Sequence, residues 1–155
     1  MTTTQAPTSS TPPHGSAIPT EPTEPTEPGR PLLILIAGPY RSGTGDDPAL
    51  MARNLAHLEE AAWPVFERGH VPMIGEWVAL PVLRSAGVPD PTDPFADTVM
   101  YPTAERLLQH CDAVLRLPGE SGGADQDVAT ARERGLPVYT RAEDIPVRTT
   151  PGPVV

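Results

Sequence analysis

The chain has 155 residues and a formal net charge of −9. This acidic balance leaves no basic patch for a phosphate backbone, which argues against a nucleic-acid polymer as partner. No apolar run approaches the ~18 residues of a membrane-spanning helix. Cys111 is the only cysteine, so an internal disulfide is excluded, and we expect a reducing, cytoplasmic compartment.

Both ends of the chain have the composition of unstructured segments. Residues 1–30 are rich in Pro and Thr and almost lack large apolar side chains, and Thr-Glu-Pro is repeated over 20–28. Such a segment cannot bury enough apolar surface to offset the chain entropy lost on folding. We therefore expect a disordered segment at 1–30, one folded domain at 31–146 and a flexible tail at 147–155.

The folded region begins with a buried strand. Leu32–Ala37 is a continuous apolar run, which is typical of a central parallel strand covered on both faces. A polar, glycine-rich loop follows, and Asp47 with Pro48 marks the start of a helix. This helix should run to about Arg68, with a kink or an early end at Pro64.

Strands and helices continue to alternate along the rest of the domain. The predicted elements are a strand at 70–75, a helix at 76–86 interrupted near Pro81, a loop at 87–97, a helix opened by Thr98 or Thr103, a strand at 112–117, a helix from the 119–123 turn to 134, and a strand at 136–139. This alternation favours an α/β fold with a parallel sheet of four to five strands. In such sheets, ligands bind beyond the carboxyl ends of the strands, where the strand order reverses.

Two loops meet at that edge if the first and third strands are neighbours. The second of them contains Ser121, Gly122 and Gly123 directly before a helix. Free backbone N–H groups and the helix dipole favour an anion there, and glycine lets the backbone approach a ligand closely. A plain helix-capping turn is the alternative interpretation. The first loop supplies the facing candidates for substrate binding, which are Gly38, Pro39, Tyr40, Arg41 and Ser42.

The helix after the second loop carries two acidic residues near its start. Because a helix turns by about 100° per residue, Asp127 lies roughly 60° from the buried face and Asp125 roughly 100° on its other side. We expect Asp127 to face the crevice as a candidate nucleophile at a sugar carbon. Asp125 should point to solvent or to a neighbouring loop, and it is the second catalytic candidate. Acids that merely complement the helix dipole are the alternative.

Side chains of the first loop and of the second strand's end add further candidates. Arg41 could pair with a phosphate and Tyr40 could stack on a base or sugar, although the loop lacks the pattern of a nucleoside-triphosphate P-loop. Glu76 could bind a ribose hydroxyl or relay a proton, which makes it the third catalytic candidate. Trp77 is either part of the core or a wall of a base pocket.

The histidines do not predict a metal site. His57, His70 and His110 show no metal-ligand spacing with each other or with Cys111. We therefore expect neither a metal nor another cofactor.

Several motifs together carry a resemblance to a known family. They are Ile-Leu-Ile-Ala-Gly-Pro-Tyr at 34–40, Cys-Asp-Ala-Val at 111–114, Ser-x-Gly-Ala at 121–124 with a following carboxylate, and Gly-x-Pro-Val at 135–138. They resemble the nucleoside 2-deoxyribosyltransferase-like superfamily over about residues 32–139. The chain is most similar to its bacterial DUF4406-type branch.

The resemblance implies a flavodoxin-like, Rossmannoid three-layer fold and a homodimer or larger homo-oligomer. It also implies cleavage of an N-glycosidic bond through a carboxylate that forms a covalent glycosyl-enzyme. The nucleophile's position falls on Asp127, where the family has Glu, and Ala104 stands where the family usually has Asp. Ser121 stands where nucleoside-specific members have Asp, which favours a 5′-nucleotide because a carboxylate would repel its phosphate.

Three functional hypotheses follow. The first is a nucleotide or nucleoside N-glycosidase or 2-deoxyribosyltransferase that uses a carboxylate nucleophile. The second is a non-catalytic, regulatory nucleotide-binding protein of the same fold. The third is a scaffold whose proline-rich N-terminus binds a partner.

Overall fold

The computed structural model describes residues 29–148, so nearly all of the segment expected to be disordered (1–30) and most of the expected flexible tail (147–155) lie outside the described residues. The strands are β1 (Leu33–Ala37), β2 (Val71–Ile74), β3 (Ala113–Arg116) and β4 (Val138–Tyr139). The helices are α1 (Pro48–Glu60), α2 (Ala62–Glu67), α3 (Gly75–Ser85), α4 (Asp97–Leu108) and α5 (Gly122–Glu133). The sheet is parallel throughout, in the order β2-β1-β3-β4, and the architecture is a flavodoxin-like three-layer α/β fold.

Strand β1 lies in the middle of the sheet and is buried on both faces. Ile34 and Ile36 belong to a core cluster with residues of α1 and α2, whereas Leu35 and Ala37 belong to a second cluster with residues of α4 and α5. Successive side chains of a strand point to opposite faces, so an uninterrupted apolar run serves two helical layers. The prediction of a doubly covered central strand is thereby confirmed.

The predicted first helix is divided into two. Asp47 caps α1 by accepting a hydrogen bond from the amide of Ala49, with Pro48 at the first helical position. Helix α1 ends at Glu60 and α2 begins at Ala62, because Pro64 has no N–H to bond the carbonyl of Glu60. The interruption expected from Pro64 is confirmed.

The predicted interruption of α3 near Pro81 and the predicted start of α4 are wrong. Helix α3 runs without a break through Pro81, which is exposed. The proline removes only one helical hydrogen bond, the one to the carbonyl of Trp77. Helix α4 begins at Asp97 instead of at Thr98 or Thr103. The earlier start arises because Asp93 caps a short 3₁₀ turn by accepting from the amide of Phe95, and this turn continues into α4.

The amino end of β1 is tied to the carboxyl end of the described chain. The buried His70 ring accepts a hydrogen bond from the amide of Leu32 at Nδ1 (3.1 Å), and its Nε2 lies 2.6 Å from the carbonyl of Pro146. This pattern requires a neutral ring with its proton on Nε2. Arg148 donates to the carbonyl of Gly29 at the same edge of the sheet.

Replacement of His70 by Phe should therefore destabilise the fold. The substitution leaves the partly buried amide of Leu32 without its acceptor, so we expect the free energy of unfolding to fall by about 2 kcal/mol. Urea titration measures this change. The control is His57→Phe on the exposed surface of α1, for which we expect a change below about 0.5 kcal/mol. Equal losses in the two variants would contradict the role given to His70.

Candidate functional site

A cavity of about 210 Å³ opens at the carboxyl edge of the sheet. It is lined by the end of β1 and the loop that follows it, by the first turn of α3, by one face of α4 and by the start of α5. Strand β1 pairs with β2 on one side and with β3 on the other, so the cavity lies where the strand order reverses. This is the place at which open α/β sheets bind ligands.

The two glycine-rich loops meet at this edge, as the sequence predicts for neighbouring first and third strands. Gly119, in the loop after β3, has φ +116°, and a Cβ atom built on it would lie only 2.7 Å from Cγ of Pro39. Only glycine adopts that conformation readily and permits so close an approach. The contact fixes one wall of the crevice against the other.

Three carboxylates line the cavity, and two of them, Asp127 and Glu76, interact electrostatically. Asp127 enters it from α5 and Glu76 from the first turn of α3. Burial raises the pKa of Glu76 above its ordinary value. Burial, followed by the charge of Glu76, raises the pKa of Asp127 to about 7, against a smaller opposing effect of Arg116. Both groups therefore hold a proton at a higher pH than a solvated carboxyl does.

Asp125 lies outside the cavity, although it stands only two residues from Asp127. Its carboxylate is 2.9 Å from Nη2 of Arg116, and its side chain is 71% exposed. The helical geometry predicts this direction, and the structure confirms it. The structure thus separates the two acids of α5, with Asp127 in the cavity and Asp125 beside the loop after β3.

Some residues at the start of α5 line the cavity, and others line a neighbouring groove. Ser121 is the N-cap: its hydroxyl accepts from the amide of Ala124 (3.2 Å) and can still donate its own proton. Ser121 and Gly123 line the cavity. Gly122 and Pro39 instead line a neighbouring groove. The capping turn is therefore present, and two of its three residues, Ser121 and Gly123, also line the cavity.

The loop after β1 contributes Gly38, Tyr40, Arg41 and Ser42 to the cavity. Burial and the charge of Glu76 raise the pKa of Tyr40, so that its hydroxyl remains a hydrogen-bond donor at neutral pH. Tyr40 presents an aromatic ring and a polar tip to the same space, which suits a base or a sugar.

Trp77 is not a wall of this cavity, and it is not buried in the core. Its side chain is 37% exposed, and the indole N–H donates to Oε2 of Glu59 at 3.2 Å. Because each residue advances a helix by about 100°, the neighbour of the inward-facing Glu76 is turned away from the cavity. Both roles weighed for Trp77 are therefore wrong.

Helix α4 supplies a wall that the sequence did not single out. Asp97, Met100, Tyr101 and Ala104 line the cavity. They follow the spacing of three and four residues that marks one helical face, but the helix start was misplaced and this face was not assigned to a site. Only Ala104 had been noted, as a departure from the family pattern.

Within residues 29–148, metal binding and nucleophilic attack by Cys111 have little structural support. No group of three His, Cys, Asp or Glu side chains there is placed to hold a metal ion. Cys111 is buried in the core, and burial is the main cause that raises the pKa of its thiol to about 11. A protonated thiol is a poor nucleophile. None of the helices in this part of the chain is long and apolar enough to span a membrane.

The fold and the cavity define the class of the protein: a flavodoxin-like α/β domain with a cavity at the switch point of its sheet. Comparison of the chain with protein-family models and with curated proteins found no match to either.

Proposed function

We propose that the protein cleaves the N-glycosidic bond of a nucleoside or nucleotide, as an N-glycosidase or a 2-deoxyribosyltransferase, with Asp127 as the nucleophile. The observation that carries this proposal is the pair of carboxylates, Asp127 and Glu76, which face one cavity from two different helices. Enzymes that displace a group at an anomeric carbon typically use such a pair, one member ionised and the other protonated.

The raised pKa values show that both acids hold protons more readily than solvated carboxyls do, and the charge of Glu76 is one cause of the raised pKa of Asp127. Carboxylates that share a cavity cannot both ionise easily, so the pair tends to keep one proton. The proposed reaction uses the form of the pair in which Asp127 is ionised, as the nucleophile, and Glu76 holds the shared proton, as the acid for the leaving base. The pair titrates as a unit, so the protonation of each member depends on the other.

The reaction proceeds in two displacements. Asp127 attacks C1′, and the C1′–N bond breaks with its electron pair leaving on the base, which takes the proton of Glu76. Water then attacks C1′ of the glycosyl-Asp127 ester and gives a proton to Glu76, and the ester bond breaks to restore the Asp127 carboxylate. A second base in place of water makes the protein a transferase.

The remaining walls suit the substrate that this chemistry requires. Tyr40 offers a ring for stacking on a base or sugar, and the Ser121 hydroxyl can donate to a sugar oxygen. Gly123 exposes backbone at the first turn of α5, where N–H groups precede the first bonds of the helix. These groups position a glycoside, whereas Asp127 acts on its anomeric carbon and Glu76 exchanges a proton with its base and with water.

Incubation of the protein with a panel of nucleosides and 5′-monophosphates tests the proposal. Chromatography should show free base, and mass spectrometry of acid-quenched protein should show a sugar adduct on the peptide that contains Asp127. A nucleoside whose base is linked through carbon is the control and should release nothing. If no substrate releases base while a nucleotide raises the melting temperature, the enzyme proposal fails and the binding-protein alternative replaces it.

A further inference from the structure

The basic residue of the cavity is held by its own loop. Nε of Arg41 lies 2.6 Å from Oδ1 of Asp46, and Nη2 lies 3.2 Å from Oδ2. Nη2 also lies 3.5 Å from the carbonyl of Thr92. A guanidinium that bonds both oxygens of a carboxylate has the geometry with which arginine binds a phosphate. Asp46 thus occupies the face of Arg41 that a phosphate would use.

The loop holds Asp46 in an unusual conformation to make this contact. Asp46 has φ +62° and is the only residue other than glycine with positive φ in the part of the chain that the structure describes. The hydroxyl of Thr44 accepts from the amide of Asp46 (3.3 Å) and donates to the carbonyl of Arg41 (2.6 Å). Left-handed backbone is uncommon outside glycine and persists where surrounding contacts determine it.

The acidic lining of the cavity also disfavours a bound phosphate, as the pairing of Arg41 with Asp46 does. Three carboxylates, those of Glu76, Asp97 and Asp127, line it, and within residues 29–148 Arg41 is the only Lys or Arg that does. Because Asp46 offsets the charge of Arg41, a bound phosphomonoester would meet carboxylates without a free cation. Its charge would also disfavour the ionised form of Asp127, which the proposed reaction needs.

We propose that Asp46 is a specificity-determining residue, which neutralises Arg41 and makes the cavity discriminate against substrates that carry a 5′-phosphate. This inference rests on the proposed function and narrows its substrate class to the uncharged nucleoside. It reverses the preference for a 5′-nucleotide that Ser121 suggests by resemblance. The hydroxyl of Ser121 suits a 5′-hydroxyl equally well, because it can donate a proton while it caps α5.

The test compares a nucleoside with its own 5′-monophosphate in the wild type and in two variants. We expect the wild-type kcat/KM to favour the nucleoside by at least about tenfold, and Asp46→Asn to shift that ratio about tenfold toward the monophosphate. Asparagine tolerates positive φ, so the loop can keep its shape. Asp47→Asn is the matched control: it removes the same charge one residue away, keeps a good N-cap for α1 and should leave the ratio unchanged.

Calorimetry with Asp127→Asn measures the Kd of the nucleoside and the Kd of its 5′-monophosphate. The ratio of these two values gives the preference between the ligands even if no base is released. A wild-type preference for the monophosphate overturns the inference but leaves base cleavage intact. An equal shift in Asp46→Asn and Asp47→Asn, or no shift in either, overturns the role of Asp46. Absence of binding by both ligands overturns the inference together with the proposed function.

Discussion

Asp127→Asn should abolish base release, with kcat at least about 10³-fold below that of the wild type. The amide has nearly the size of the carboxylate but cannot form the ester with C1′, so the covalent route closes while the cavity keeps its shape. Release of base from a saturating nucleoside, followed by chromatography, measures the loss. The sugar adduct on the α5 peptide should disappear in parallel.

Asp125→Asn is the matched control on the same helix. It makes the same chemical change two residues earlier, at a side chain that is exposed and bonded to Arg116 outside the cavity. We expect its kcat to remain within about threefold of the wild type, which is the small effect usual for a surface substitution. Release that survives in Asp127→Asn and vanishes in Asp125→Asn would reverse the assignment of the nucleophile.

The same Asp127→Asn substitution should stabilise the protein at alkaline pH. The pKa of Asp127 is about 7 in the folded state and near 3.8 for the ordinary carboxyl, so between these values the folded state binds more protons than the unfolded state. The stability of the wild type therefore falls as pH rises from about 4 to about 7. Because a shift of one pKa unit corresponds to ~1.4 kcal/mol, the variant should be more stable than the wild type by up to about 4 kcal/mol at pH 8.

Urea unfolding of both proteins at pH 4 and at pH 8 checks this prediction, since the difference should nearly vanish at pH 4. Glu76→Gln provides a second check, because removal of the neighbouring charge lowers the pKa of Asp127. In that variant, the carboxyl carbon of Asp127 should titrate at lower pH by NMR than in the wild type. A stability difference of the same size at both pH values would contradict the burial of an ionisable group at this position.

The fold could be predicted because its signals are local and periodic. The unbroken apolar run of β1 indicates a strand covered on both faces, and Asp47 with Pro48 marks the start of α1 through capping. The meeting of the two glycine-rich loops was predicted only on the condition that β1 and β3 are neighbours, which the strand order of the structure meets. The angular spacing of Asp125 and Asp127 on α5 follows from helix geometry.

The site could be predicted only in part. The features that were missed depend on how loops and helices are placed in the folded domain, which no local sequence pattern encodes. The pairing of Arg41 with Asp46 requires a left-handed backbone in an aperiodic loop, and no periodic pattern encodes it. The contribution of α4 depends on where that helix begins, which is set by the cap at Asp93. Trp77 was misplaced because a residue beside a strand end can face either way until the helix phase is known.

The link between Arg148 and Gly29 brings both ends of the described chain to one edge of the sheet. The cavity opens at the opposite edge, beyond the carboxyl ends of β1 and β3. A tether to a sensor chip or a fluorescent carrier attached at Gly29 or at Arg148 would thus lie on the side of the domain away from the cavity. The geometry makes the domain suited to surface-based ligand screening without engineering of its loops.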